Sequence, residues 1–211
     1  MILNKKILNK EEEQQLKERV AQFENNSGAE LVLAVANESD PYPGAVLRSA
    51  LFLSFFTTLL LSYFIEFGYS YLYIVSQLIL TFLFLPLSRM KLFKSWALVD
   101  SEVDREVKEK ALEVFFTHCS EKASHSNETL IYTSLYEKRI EVLVGKNIKE
   151  KILQEDLEEI VNKIKDGFGK KSYLKAYRDG LELLESKLLE AFPEKVSQSG
   201  ADELSNSVLW L

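Results

Sequence analysis

Two apolar runs dominate the chain: SALFLSFFTTLLLSYFI at Ser49–Ile65 and FGYSYLYIVSQLILTFLFLPLS at Phe67–Ser88, separated by the single charge Glu66. Each run approaches the roughly 20 apolar residues that a helix needs to cross a bilayer. The runs therefore predict a helical membrane hairpin over residues 45–94, inserted in an otherwise charged chain. The first run is near the short limit, so a full span and a shallow wedge are both compatible with it.

The distribution of positive charge predicts how the hairpin is oriented. Arg48 precedes the hairpin and Arg89, Lys91 and Lys94 follow it, whereas the turn Glu66–Gly68 carries no positive charge. Because positive residues stay on the cytoplasmic side, both chain ends and the folded domain are expected in the cytoplasm. The alternative, two buried core helices, is disfavoured because one small domain would have to hide two consecutive apolar helices.

The length, charge and cysteine content of the chain limit which classes of function are possible. The chain has 211 residues with 26 Lys and Arg against 32 Asp and Glu, a formal net charge of −6. Roughly 170 residues outside the hairpin are enough for one domain with its own core. No basic stripe is present, which excludes a nucleic-acid partner. The single cysteine, Cys119, excludes an internal disulfide and is compatible with a reducing compartment.

Apolar spacing predicts the elements of the domain. A helix over residues 8–25 follows Asn9 and Glu12, which have the spacing of a capping box. The continuous apolar run Glu30–Ala36 is typical of a strand covered on both faces. After the hairpin, the predicted elements are a helix ending near Ala123, strands Thr129–Leu135 and Arg139–Val144, and helices Ile148–Gly167 and Ser172–Ala191.

The order of these elements predicts the fold class. A strand–helix–strand crossover makes the first two strands parallel, and the tight turn makes the last two antiparallel. We therefore expect an α/β fold in which a small mixed β-sheet is sandwiched by helices (α/β/α) and interrupted by a two-helix transmembrane hairpin. Residues 1–44 and 95–193 form one domain, 45–94 the insert, and 194–211 a flexible tail.

Several segments resemble the TPM domain family. GAELVLAV at Gly28–Val35 is similar to its first strand, and LIYTSLYEKRIEVL at Leu130–Leu143 is similar to its β-hairpin. Gly180-Leu181 match its closing helix, and DELSN at Asp202–Asn206 resembles the Asp-Glu-Leu-Pro-Asn tail of membrane-anchored bacterial members, with Ser205 in place of Pro. The resemblance covers residues 8–191 outside the membrane insert.

The resemblance implies an α/β/α sandwich, and it implies more than one possible function. The family includes thylakoid-lumen proteins described as acid phosphatases and linked to photosystem repair, a receptor-modulating membrane protein, and many bacterial members without an assigned activity. Soluble members usually carry a Gly-aromatic-Gly-Leu-Glu loop, with an Asp a few residues later. Here Val144–Lys149 reads VGKNIK, so only Gly145 matches and lysines replace the loop carboxylate. This departure argues against phosphatase activity.

Candidate metal ligands are few. Glu30, Asp100 and Glu137 are the candidate carboxylates for Ca²⁺ or Mg²⁺, although an acidic residue at a helix N-terminus such as Asp100 is favoured by the helix dipole alone. His118 and Cys119 are adjacent and diverge on a helix, and His125 lies past the helix end, so a zinc site is not expected. No cofactor is predicted.

A weak interaction patch is predicted around the β-hairpin turn, where strand ends present side chains to ligands. Its members are Ser134, Glu137, Arg139 and Glu141. The alternative is that Arg139 and Glu141, which share one face of a strand, only form cross-strand pairs. No catalytic motif accompanies the patch.

The function expected from the sequence is that of a non-enzymatic accessory module. Its partners are the lipid bilayer, through the Ser49–Ser88 hairpin, and a membrane protein or complex. The alternative is a divalent-cation-dependent acid phosphatase. A third interpretation is that the hairpin itself oligomerises through polar residues that bond between helices. These polar residues are Ser54, Thr57, Thr58, Ser76, Gln77 and Thr81.

Overall fold

The computed structural model describes residues 7–65, 68–119, 127–192 and 208–211. These residues form two compact units, one containing the described residues up to Ser39 and from Arg105 onward, the other Asp40–Asp104. The first unit is a mixed α/β fold, and the second contains the two apolar helices. The second unit is therefore an insertion in the chain of the first.

The chain enters the α/β unit through a well-capped helix, α1 (Lys10–Ser27). The Asn9 side chain accepts from the backbone N–H of Glu12 at 2.9 Å, and the Glu12 side chain accepts from the backbone N–H of Asn9 at 2.8 Å. Gly28 ends the helix in the left-handed conformation, with φ of 75°. The capping box expected from the sequence is confirmed.

Four strands form one mixed sheet in the order β3-β2-β1-β4. β1 (Glu30–Ala36) is parallel to β2 (Glu128–Ser134), and β2 is antiparallel to β3 (Arg139–Val144). The register places Leu33 opposite Ile131 and Ala36 opposite Ser134. This is the pairing predicted from the crossover and the tight turn, and the mixed α/β fold class is confirmed.

The last described residues add a strand that the sequence does not suggest. β4 (Leu209–Trp210) pairs in parallel with Ala34 and Val35 of β1, and the N–H of Leu211 donates to the carbonyl of Val35 at 2.9 Å. A flexible tail is expected from the sequence over residues 194–211, but its last residues are held at the sheet edge. Of that tail, residues 194–207 lie outside the described part, as does Pro193, where the last helix was expected to stop.

Helices pack on the sheet because both faces of its central strands are apolar. On one face, Leu31, Leu33 and Val35 join the core with side chains of α1, α7 (Gln154–Gly169) and α8 (Tyr173–Ala191). On the other face, α5 (Asp100–His118) contributes buried residues beside the sheet residues of that side. These buried residues are Val32, Ala34, Leu130 and Tyr132 from the sheet and Val107, Ala111 and Val114 from α5.

One predicted helix is divided in the structure. The region expected to form a single helix over Ile148–Gly167 contains the short α6 (Lys146–Lys149), a turn, and α7, which begins at Gln154. The backbone N–H of Leu153 donates to the Asp156 carboxylate at 3.2 Å, a contact that marks the start of α7. The helix expected to run to Ala123 has its last helical residue at His118, and residues 120–126 lie outside the described part.

The second unit contains two helices long and apolar enough to cross a membrane, α2 (Pro43–Phe64) and α3 (Tyr71–Ser88). At 22 and 18 residues, they have lengths of about 33 and 27 Å at 1.5 Å per residue. Pro43 occupies the first turn of α2, where its missing N–H costs nothing. α2 therefore begins at Pro43, six residues before the apolar run Ser49–Ile65.

Polar side chains join the two apolar helices. Ser54 of α2 and Thr81 of α3 have their hydroxyl oxygens 2.8 Å apart, and the Gln77 amide donates to the Ser54 hydroxyl at 2.8 Å. Both hydroxyl groups are buried. All four hydroxyls, those of Ser54, Thr81, Thr57 and Ser76, are also within hydrogen-bond distance of a carbonyl of their own helix. Ser54, Gln77 and Thr81 therefore bond between the two helices of one hairpin. Oligomerisation of the hairpin through such residues stays a prediction.

Candidate functional site

Polar groups of the α/β unit gather at both ends of the sheet, beginning with the turn between β2 and β3. The Glu137 carboxylate is buried there and accepts two hydrogen bonds. One comes from the backbone N–H of Ser39 at 2.9 Å, and the other comes from the hydroxyl of Ser134 at the end of β2. Glu137 therefore connects the loop that leaves β1 with the turn that leaves β2.

Backbone hydrogen bonds reinforce the same connection. The N–H of Leu135 donates to the carbonyl of Ala36, and that of Tyr136 donates to the carbonyl of Asn37, both at 3.0 Å. Lys138 completes the turn with φ of 55°, the left-handed region that most residues avoid. Hydrogen bonding between the two chain segments thus continues past the ends of β1 and β2, as far as the contact between Ser39 and Glu137.

Tyr132 places a phenol beside this carboxylate. Its hydroxyl lies 3.0 Å from the Ser39 hydroxyl. Burial raises the pKa of Tyr132 to about 12, the Ser39 contact lowers it, and the carboxylates of Glu137 and Glu113 raise it again. The phenol therefore stays protonated at physiological pH and serves as a hydrogen-bonding group.

This cluster is poorly placed for chemistry on a substrate. Ser134 is 1% exposed and Glu137 is 7% exposed, so the hydroxyl and the carboxylate that accepts from it are both covered. A nucleophile needs access to the substrate as well as a base. The arrangement is that of a structural latch, which we call the Glu137 latch, defined by Ser39, Ser134 and Glu137.

Two predicted members of the patch lie next to the latch. Arg139 is opposite Ser134 in the β2–β3 register, and Glu141 is opposite Tyr132, so both occupy the Tyr132 face of the sheet. Arg139 also donates a long contact of 3.5 Å to the carbonyl of Glu137. The structure therefore brings together all four residues predicted around the turn: Ser134, Glu137, Arg139 and Glu141.

A second carboxylate cluster lies at the other end of the sheet and includes a residue that the sequence interpretation missed. Glu30 and Glu128 are the first residues of β1 and β2 and face each other in the parallel register. Burial and the neighbouring Glu30 carboxylate raise the pKa of Glu128 to about 7. The signal in the sequence is a glutamate at the start of the first predicted strand and another immediately before the second, Thr129–Leu135. The two can be seen to be neighbours only when the register of the strands is known.

Cys119 adjoins this second cluster. Burial, followed by the Glu128 charge, raises the pKa of the Cys119 thiol to about 12. The thiolate is the nucleophilic form, so this environment keeps the group unreactive. Its position in the core is the one expected from the sequence.

The candidate metal ligands do not converge. Glu30 is at the start of β1, whereas Glu137 is beyond the end of β2, about 20 Å away at the rise of a strand. Asp100 begins α5 and belongs to the other unit. Within the described ranges, no three His, Cys, Asp or Glu side chains are grouped to hold a metal ion, and His125 lies outside those ranges. Glu30 and Glu137 therefore lie at opposite ends of the sheet.

The loop that departs from the TPM pattern has a structural role here. Gly145 precedes α6 and its N–H donates to the carbonyl of Glu128 at 2.7 Å, while Ile148 is fully buried. Lys146 and Lys149 are exposed. The loop thus presents positive charge at the end of the sheet where Glu30 and Glu128 lie.

An open groove between α1 and α8 shows no preference for one ligand charge. An ion pair between Arg19 and Glu185 crosses it, and the Asn26 amide donates to the same carboxylate at 2.7 Å. Further cations and anions line it in equal numbers, Lys175 and Arg178 against Asp179 and Glu182. With Arg19 and Glu185 included, the groove therefore has three cationic and three anionic side chains.

Comparison with known proteins supports the fold and no more. No protein-family model and no curated protein matches the chain. Among solved structures, the chain is similar to the NMR structure of the BA42 protein from the psychrophilic bacterium Bizionia argentinensis, with a TM-score of 0.60 over 100% of each chain. The two sequences are 16% identical, a level at which the likeness concerns the fold alone.

Proposed function

We propose that the protein is a membrane-tethered α/β domain of the TPM type that serves a membrane complex as a non-enzymatic accessory module. The observation that carries the proposal is the position of the hairpin. α2 and α3 are inserted between β1 and β2, which are neighbours in one sheet. Both ends of the membrane segment are therefore continuous with the same small fold, which confines that fold to the membrane surface.

The side chains of the α/β unit favour binding over catalysis. Ser134 and Glu137 are buried in the latch, and Cys119 is a buried thiol with a raised pKa. Exposed lysines lie near the strand ends: Lys138 in the β2–β3 turn, and Lys146 and Lys149 at the other end of the sheet. Exposed charge of this kind suits contact with an acidic surface of a partner protein.

The orientation of the hairpin follows from its charges. Arg48 lies in the first two turns of α2, and Arg89 and Lys91 follow α3, so all three lie at the open end of the hairpin. Positive residues at that end favour a cytoplasmic location for the α/β unit. The partner is then a membrane protein with a cytoplasmic face.

Site-specific photocrosslinking of the full chain in host membranes tests this function. A photoreactive residue at Lys138 or Lys146 is expected to capture a defined membrane protein. A photoreactive residue at the exposed Phe82 of α3 is the comparison, since it reports which molecules contact the apolar hairpin. Release of the chain by an alkaline carbonate wash would contradict membrane tethering.

The phosphatase alternative has its own readout. If the protein is a phosphatase, the purified full chain in detergent hydrolyses a phosphoester in the presence of Mg²⁺ or Ca²⁺, and Glu137→Gln or Glu30→Gln abolishes the turnover. Such a result would replace the accessory role with an enzymatic one. Equal background rates for the wild type and both variants are the expected outcome.

A further inference from the structure

The short helix α4 (Lys91–Trp96), which follows the hairpin, exposes large apolar side chains and buries one of its lysines. Its Lys94 is only 5% exposed, whereas Leu92 and Trp96, four residues apart on one face, are 73% and 62% exposed. A helix surrounded by water buries its apolar face and exposes its lysines. The outer face of α4 therefore suits a medium less polar than water.

Specific contacts fix α4 in this orientation. The Arg48 guanidinium of α2 donates from Nε and Nη2 to the carbonyl of Ala97, at 3.1 and 3.0 Å, and also pairs with Glu102. The Lys94 ammonium lies 5.7 Å from the centre of the buried Tyr42 ring, a cation–π contact. These contacts join the end of α4 to α2. Leu92 and Trp96 are therefore exposed although α4 is packed in its place.

The apolar surface of α4 is continuous with that of the hairpin. The Trp96 ring lies 4.4 Å from the Phe52 ring of α2, and Phe52 in turn lies 4.5 Å from Phe56. Exposed Met90 and Val99 extend the apolar surface on either side of α4. Arg89 and Lys91, both exposed, border it with positive charge.

We propose that α4 is an interfacial helix that binds an anionic lipid surface. Leu92 and Trp96 insert at the boundary between headgroups and acyl chains, and Arg89 and Lys91 lie among the headgroup phosphates. Tryptophan prefers this depth, and basic residues beside an inserted apolar face strengthen binding to anionic lipids. This inference rests on the proposed membrane tethering and specifies which surface beyond the hairpin contacts the leaflet.

The two tryptophans of the chain, Trp96 and Trp210, allow a direct test. In a Trp210→Phe variant of the full chain, Trp96 is the only tryptophan. The variant is reconstituted into vesicles of zwitterionic and anionic phospholipids, brominated either near the carbonyl end or near the methyl end of the acyl chains. We expect blue-shifted Trp96 emission, stronger quenching by the lipids brominated near the carbonyl end, and little quenching by aqueous iodide.

A second variant separates this inference from the membrane tethering on which it rests. Trp96→Phe, Trp210→Phe and Phe82→Trp together place the only tryptophan on the exposed face of α3. If brominated lipids quench this α3 probe but Trp96 is quenched by iodide and by neither lipid, α4 lies in water and only this inference fails. If Trp96 is shielded from iodide and lipid alike, protein covers it, which also overturns the inference. Absence of lipid quenching in both variants would contradict the tethering itself.

Discussion

Glu30 and Glu128 face each other at the first positions of two parallel strands, with the Glu128 side chain buried. Burial disfavours the charged form of the Glu128 carboxylate, and the carboxylate on the adjacent strand repels it further when both are ionised. The raised pKa of Glu128, about 7, is the consequence. The ionisation of Glu128 is therefore linked to the stability of the α/β unit.

The first prediction is that the protein loses stability as pH rises toward 7. Between the ordinary glutamate value of 4.5 and about 7, folded Glu128 keeps a proton that the unfolded chain has already lost. The free energy of unfolding therefore falls through this window, by at most about 3 kcal/mol, and levels off above it. Thermal unfolding of the full chain in detergent, measured from pH 5 to 8, should reveal the slope.

Glu128→Gln provides the decisive comparison for that slope, because the amide is neutral at every pH. We expect the variant to be less dependent on pH than the wild type and more stable than it at pH 8. Glu182→Gln, on the exposed side of α8, is the control and should keep the wild-type slope. An unchanged slope in Glu128→Gln would show that Glu128 does not titrate in this range.

The second prediction concerns the Glu137 latch. Glu137→Ala leaves the N–H of Ser39 and the hydroxyl of Ser134 without their acceptor, which costs about 1–3 kcal/mol for each buried group left unsatisfied. Glu137→Gln retains one carbonyl oxygen and should cost less. Denaturant unfolding of both variants measures the difference, with exposed Lys149→Ala as a neutral control. Wild-type stability in Glu137→Ala would show that the hydrogen bonds of the Glu137 latch do not stabilise the fold.

The third prediction follows from the close approach of α7 and α8 at Gly180. A Cβ atom at Gly180 would overlap Cγ1 of Ile164, so Gly180→Ala forces the two helices apart. Overpacking of this kind costs about 1–3 kcal/mol. Gly169→Ala is the matched control, because no atom of the described residues lies within 4 Å of its Cβ position. Similar midpoints for the two variants in denaturant unfolding would contradict the predicted contact.

Local patterns were enough to predict the order of the main elements and the parallel pairing. The apolar run that becomes β1 and the tight turn after β2 each specify an element from neighbouring residues alone. Glu128 and the Ser39–Glu137 contact were missed because they depend on register, which joins residues 98 positions apart. β4 is only two residues long and has no periodicity to detect. The separation of Glu30 and Glu137 likewise depends on which end of the sheet each residue occupies.

The last prediction tests how the hairpin crosses the membrane. In a Cys119→Ala background, a cysteine is placed either at exposed Ser70, in the turn before α3, or at exposed Lys138, in the β-hairpin turn. A full span with the α/β unit in the cytoplasm predicts that a membrane-impermeant maleimide labels Ser70→Cys in sealed cells and labels Lys138→Cys only after lysis. The reverse pattern would contradict the cytoplasmic assignment. Protection of both positions until lysis would indicate a hairpin that enters and leaves the same leaflet, since its turn would then never reach the outer face.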